Sequence, residues 1–311
     1  ALRQGAERVS GVLAGEITRR CILSNTGAEG YDERTSFELN VRAFRGEASG
    51  QGLSCATSMK YVDAKGAGEE AGRIVKDGRN FVTWSEGKYQ VFFGPIITAN
   101  LLEHLGEAAS AFMVDTGLSC LAGKIGERIF PEDLTIIDDG TVEDGLSSRT
   151  FDDEGIETRK NFIVKSGVVK GYLHNTKTAM KFKAESTGNA GWIVPLPWNV
   201  VVESGSIGFE EALESIKSGL YVVSNWYTRF QNYSTGDFST ICRDGVFLIE
   251  NGKIKGALKG VRISDNLLRL FSSVSGICKE RKWVKWWEVR TPALLPGIIA
   301  NDVRVTKAQG A

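Results

Sequence analysis

Histidine is the scarcest chemistry-bearing residue here: the 311-residue chain holds only His104 and His174. A conventional zincin site needs HExxH or HExxxH on a helix, where histidines hold the metal and the glutamate activates water. Neither histidine is followed by glutamate, so no such motif can be written anywhere in the chain. Cysteine is sparse as well. Cys21, Cys55, Cys120, Cys242 and Cys278 are odd in number, widely spaced and without a CxxC pair, which argues against a disulfide framework or a zinc ribbon and for a reducing compartment. No apolar stretch approaches the ~20 residues that span a bilayer, and no charged start precedes an apolar run, so a cytoplasmic protein without membrane association is expected. An excess of one charge is also lacking. Lysine plus arginine equals aspartate plus glutamate at 38 each, which leaves no global field to attract nucleic acid, an anionic membrane or an acidic substrate. Gly-x-Ser-x-Gly, a GxGxxG after a strand and a Walker loop are all missing, so hydrolase triads, dinucleotides and nucleoside triphosphates find no support and no cofactor is expected on this chain.

What is present reads as an α+β protein: a small N-terminal α/β unit over residues 1–95 followed by a larger antiparallel β-rich domain over 96–311, with the boundary near Gly94-Pro95. The opening ALRQGAERV begins with Ala1 and reads as the tail of a helix from a longer chain, so the first domain is expected to be partial. Residues 17–46 carry two β-like runs around a Gly-rich turn, with Phe37, Leu39 and Val41 alternating against polar neighbours. A weak helix is expected from Tyr61 to Asp77, stopped near Gly78, then a strand in TWSEGKYQVFFGP leading out of the unit, and a helix from Ile96 to Phe112. Asn161–Leu173 and Val246–Leu258 read as hairpins, turning at Lys165-Ser166-Gly167 and at Asn251-Gly252; Asn-Gly suits a type I′ turn because both central residues need positive φ. Between them Phe209–Ser218 has the apolar spacing, acidic first turn and trailing Gly219 of a helix. There is no internal repeat and no low-complexity tract.

Four collinear segments have unusual compositions: LAGKIGERIFPEDLTIIDDG (121–140), GLSSRTFDDEGIETRK (145–160), STGNAG (186–191) and STGDFSTICRDGVFLIENGKIKGALKGVRISDNLL (234–268). Asp138, Asp139, Asp152, Asp153 and Glu154 sit beside glycines and hydroxyl residues, a mixture that turns backbone sharply and accepts exposed N–H groups, so turn formation is preferred over acid–base chemistry. Together these segments resemble the C-terminal half of the TldD/PmbA family of cytoplasmic proteases. That resemblance marks Asp152, Asp153, Gly188 and Asn189 as lying in family-like loops.

In TldD-type members the resemblance implies an HExxxH helix, which here falls at about Leu101–Phe112. The sequence reads LLEHLGEAASAF, with Glu103 and His104 near the motif's His-Glu and Glu107-Ala108 near its second histidine. The metal motif is therefore absent, and the helix is read as vestigial. Helical spacing can aim His104 and Glu107 the same way, so His104, Glu107 and Cys278 are the residual metal candidates; TldD-type members take a further ligand from a cysteine in this late region. The preferred readings are a solvated charge pair for the first two, a buried structural thiol for Cys278 and a surface histidine at a turn for His174.

The resemblance implies a non-catalytic PmbA/TldE-like subunit that pairs with a TldD-like, zinc-bearing chain, or with its own copy, to enclose a chamber where unfolded peptides are cut. Two other readings compete. KERKWVKWWEVR (279–290) interleaves basic residues with Trp283, Trp286 and Trp287 and can clasp nucleic acid in a gyrase-associated binding module. A strand with Trp283, Lys285 and Trp287 on one face and Val284 and Trp286 on the other, buried in a sheet or interface, fits the neutral charge better, so nucleic acid is not the expected partner. An active metallopeptidase with atypical ligands is the third.

Overall fold

The computed structural model describes residues 1–308 and is mixed α+β. After a single 3₁₀ turn at Leu2–Gln4 come β1 (Arg8–Leu23), β2 (Glu29–Arg45), β3 (Ala48–Ala56), α1 (Ala64–Asp77), β4 (Gly87–Phe93), α2 (Pro95–Ala108) and α3 (Ala111–Asp115). The second part holds β5 (Ile136–Asp139), β6 (Lys160–Lys165), β7 (Val168–Val169), α4 (Thr176–Phe182), β8 (Val200–Val202), α5 (Phe209–Glu214) and β9 (Ser218–Asn232). It closes with β10 (Asp237–Glu250), β11 (Lys253–Ala257), β12 (Val261–Asn266), α6 (Leu267–Ser272), β13 (Val274–Trp286) and β14 (Val289–Lys307).

Strands β1, β2 and β3 form an antiparallel sheet of their own. Helix α1 begins where the Asp63 side chain accepts the Gly66 N–H at 2.7 Å, and it lies across β3 at a distance only glycine permits. A Cβ at Gly50 would stand 2.4 Å from the Ala71 carbonyl oxygen, and one at Gly52 2.0 Å from that of Ala67. The helix tail expected at the start is replaced by the 3₁₀ turn and by β1, which already runs from Arg8.

The other eleven strands make one large sheet in the order β11-β10-β9-β4-β14-β8-β5-β6-β7, with β12 bridging β10 and β14 and β13 paired to β14. It is mostly antiparallel, but β4 runs parallel to β9 and β14 parallel to β8. Strand β4, which the sequence suggests leads out of the first unit, is thus central to the large sheet. In strand pairing the change of unit precedes Gly87 and does not fall at Gly94-Pro95, because β4 supplies the buried Val91, Phe92 and Phe93 to the main core.

Both hairpins form where their turn residues predict. Ser166 and Gly167 have φ of 47° and 76°, and Asn251 and Gly252 have 51° and 74°, as a two-residue turn matched to strand twist requires. Two helices are shorter than their apolar spacing predicts. The Ile96–Phe112 pattern breaks between α2 and α3 because the 109–111 backbone pairs with Leu173, and α5 ends at Glu214 because residues from Ser218 are taken up by β9.

Two groups of contacts join the sheets. Arg42 on β2 makes a bidentate pair with the buried Asp244 at 2.9 and 2.8 Å, its guanidinium lying over Trp226, and Ser224 donates to Gln51. Under the large sheet the Phe92 ring packs between Phe209 and Tyr221, with centroids 5.3 and 5.1 Å away. Phe92 is fully buried, so Phe92→Ala should lose about 3–5 kcal/mol of unfolding free energy in urea titration; a loss under about 1 kcal/mol would contradict this placement.

Candidate functional site

Helix α2 starts with Pro95 in its first turn, where a missing N–H costs nothing, and nearly all of it is buried. Two of its polar side chains grip the β13–β14 turn. Asn100 Nδ2 donates to the Glu288 carbonyl at 2.8 Å, and one turn later a single oxygen of Glu103 accepts the N–H groups of Arg290 and Thr291 at 2.8 and 2.7 Å. Burial pushes the Glu103 carboxyl up to about 7, against the pull of those donors. Asn100 Oδ1 also accepts from Thr228 Oγ1 and Asn225 Nδ2 at 2.6 and 2.7 Å, so α2 contributes to a buried polar cluster.

His104 and Glu107 do share a face: Nδ1 lies 3.1 Å from Glu107 Oε2, and the ring edge meets Phe230 at 5.0 Å. They line a cavity of about 20 Å³, room for about one water. The thiol that joins them there is Cys120. Cys278 lies on β13 against the 205–207 segment, its carbonyl accepting the Gly205 N–H at 2.9 Å, and its buried thiol is pushed up to about 11.

The family-like loops form a second polar nucleus. Asn189 is fully buried and uses its whole hydrogen-bonding capacity. Its Nδ2 donates to Asp138 at 2.6 Å and to the Leu196 carbonyl at 2.9 Å, while Oδ1 accepts from Asn161 at 3.0 Å and Thr187 at 2.7 Å. Asp138, raised to about 6 by its complete burial, also accepts the N–H groups of Trp198 and Asn199. Asp152 accepts three backbone N–H groups, from Glu154, Ile156 and Ala190, at 2.9–3.0 Å. Gly188 (φ 70°) lets the chain pass where a Cβ would stand 2.4 Å from the Glu157 carbonyl oxygen. Asp153 alone is exposed, 3.7 Å from Arg20. These carboxylates organise backbone, as the turn-rich composition predicts.

A family profile described as PmbA/TldA metallopeptidase C-terminal domain matches residues 86–307. The chain belongs to the PmbA/TldD family. Among relatives, it is 33% identical to a metalloprotease of Methanocaldococcus jannaschii over 63% of this chain and 44% of that one. It is 32% identical to a metalloprotease of Methanothermobacter thermautotrophicus over 68% and 46%. Thus the chain spans about half the length of the curated relatives it matches. The solved structure of TldE from Thermococcus kodakarensis superposes with a TM-score of 0.84 at 26% identity, covering 96% of this chain and 68% of that one.

The donor set does not fit the metal that the PmbA/TldD family implies. Glu103 is taken up by the Arg290 and Thr291 N–H groups; Glu107-Ala108, near where a second histidine is expected, supplies no imidazole; Cys278 is on another element. Among the described residues no three His, Cys, Asp or Glu side chains converge as metal ligands.

His174 differs from the surface position its hairpin suggests. It is 5% exposed, because α4 starts at once on an Asn175 cap and folds back over it, placing Nδ1 3.3 Å from Thr178 Oγ1 and the ring against Phe182. Burial lowers its pKa. In the 279–290 segment the alternation holds, with Val284 and Trp286 buried and Trp287 52% exposed. Two of its three lysines face carboxylates of the first unit: Lys282 meets Glu70 at 2.5 Å, and Lys285 lies 3.8 Å from both Glu16 and Glu38. Asn100, Cys120, Asn225 and Arg149 escaped sequence reasoning, since none sits in a recognisable spacing; only the run SSRTFDDEG, next to Asp152, singles out Arg149.

Two predictions test this geometry. Asp152→Ala strands three backbone donors and should cost about 3 kcal/mol or more in denaturant unfolding; a neutral substitution would exclude the scaffold role. The Glu103 carboxyl binds its proton more tightly folded than unfolded, so its contribution is complete below its ordinary value of 4.5 and lost as pH rises through about 7. Relative to wild type, Glu103→Gln should therefore gain stability between about pH 5 and pH 8, by up to about 3 kcal/mol, whereas a pH-independent difference would contradict the buried carboxyl.

Proposed function

We propose that this chain is a PmbA/TldE-type subunit without catalytic metal, which forms one wall of a chamber where a TldD-like, zinc-bearing partner cuts unfolded peptides. The observation that carries this reading is the use made of Glu103: the carboxylate on the motif helix is spent on the Arg290 and Thr291 N–H groups, and alanine stands at the second histidine position. A scaffold whose polar side chains hold backbone in place of a metal serves as a structural partner of an enzyme.

The loops around Asn189 and Asp152 support the same reading, because a rigid wall against which an extended peptide lies needs its turns locked internally. A second copy of the chain is the alternative partner. The charge pairing of Lys282 and Lys285 with Glu70, Glu16 and Glu38 takes basic groups of the Trp-rich strand out of play for phosphates, which favours the peptide over the nucleic-acid reading. Five unpaired cysteines fit a cytoplasmic setting.

Elemental analysis of the purified protein, with cleavage of an unfolded peptide measured alone and with a TldD-like chain, tests the assignment. The expected result is substoichiometric metal and cleavage only in the mixture. Stoichiometric zinc with cleavage by this chain alone would overturn it and point to His104, Glu107 and Cys120.

A further inference from the structure

Arg149 combines a mostly buried side chain with few hydrogen-bond partners for its guanidinium. It is 9% exposed, and its guanidinium lies over the Trp198 indole with Cζ 3.4 Å from the ring centroid. The guanidinium's only hydrogen bond among the described residues is a long one from Nε to the Ser147 carbonyl at 3.4 Å, and none of them places a carboxylate within ion-pairing distance of it. The η nitrogens, which carry most of its donors, have no hydrogen-bond partner among the described residues and are not among the fully buried unpartnered nitrogens, so an acceptor arriving from solution can reach them.

Other charged groups stand nearby. Arg20 and Arg34 stand close enough to help burial lower the Arg149 pKa, to about 9, and each has a buried Nη1 without a hydrogen-bond partner. Arg149 lines a cleft of about 380 Å³ together with Asp32, Thr141, Thr150 and Glu157. Asp32 is occupied in accepting the Thr150 N–H at 3.3 Å.

We propose that this cleft is a carboxylate-binding subsite, in which the free edge of the Arg149 guanidinium, stacked on Trp198, takes the carboxylate of a bound peptide. Trp198 covers one face of the guanidinium and leaves its in-plane fork free, the geometry that matches a planar carboxylate in a bidentate pair. Phosphate shares this chemistry, and the competition measurement below separates it from a carboxylate. The C-terminal carboxylate and an acidic side chain are the two sources of such a group. This inference rests on the peptide-holding function proposed above and gives it a determinant of substrate choice.

The test is fluorescence anisotropy of a labelled Gly/Ser/Ala peptide in three forms: free C-terminus, amidated C-terminus, and amidated with one internal glutamate. Wild type should bind a carboxylate-bearing form about ten- to a hundredfold more tightly than the plain amide, the range for hydrogen bonds to a charged partner. The form that gains tells which carboxylate enters. Arg149→Gln should abolish the difference, and Arg149→Lys, which keeps the charge and loses the fork, should lose most of it; unchanged melting temperatures establish that both variants fold. Equal binding of all three peptides by wild type overturns the subsite and leaves the peptide wall standing, whereas no binding of any form overturns both. Inorganic phosphate that displaces the acid peptide at lower concentration than acetate does would overturn the carboxylate assignment.

Discussion

The grip of α2 on the β13–β14 turn is the constraint on which the rest of the large domain depends. Strand β14 pairs with β4, β8, β12 and β13, so the point where it starts sets the register of the middle of the sheet. That point is held by Glu103 on the Arg290 and Thr291 N–H groups and by Asn100 on the Glu288 carbonyl. Buried backbone donors and acceptors left open at such a turn would each cost about 1–3 kcal/mol, and side chains from a helix are the means of closing them. The same helix carries His104 and Glu107 one turn further on, so one element holds both the structural grip and a half-exposed charged pair.

A second set of buried carboxylates does for the loops what Glu103 does for the sheet. Asp138 and Asp152 accept backbone N–H groups from segments distant in sequence, and Asn189 links Asp138 to Asn161, Thr187 and the Leu196 carbonyl. The result is a surface whose irregular backbone is fixed from within, with Arg149 and Trp198 stacked at its edge. In the proposed role as a peptide-holding wall, such a surface would need no ordering before it binds, which removes an entropic cost of binding.

Much of the fold was legible in the residues. Asn251-Gly252 and Ser166-Gly167 announced their hairpins because positive φ at two adjacent positions is a local demand that few residues meet. Phe37, Leu39 and Val41 announced a strand through period two, and the four collinear segments announced the PmbA/TldD family. Element ends were less legible: the apolar spacing of Ile96–Phe112 continues past Ala108, and only the pairing of the 109–111 backbone with Leu173 stops the helix. Strand β4 was read into the wrong neighbourhood because its partners, β9 and β14, lie more than a hundred residues away in the chain.

The sequence alone determined that no HExxH or HExxxH site exists, since that is a matter of which residues follow two histidines, and that turns, hairpins and family-like loops fall where glycine, asparagine and aspartate cluster. Tertiary structure alone decided what the remaining polar groups do. It turned Glu103 inward, buried His174 under α4, brought Cys120 and not Cys278 beside His104, and left Arg149 stacked without a hydrogen-bond partner for its η nitrogens. Each of these outcomes depends on which distant backbone donor, ring or thiol arrives within about 3–5 Å, the range over which hydrogen bonds and ring contacts act, and no local pattern encodes such meetings.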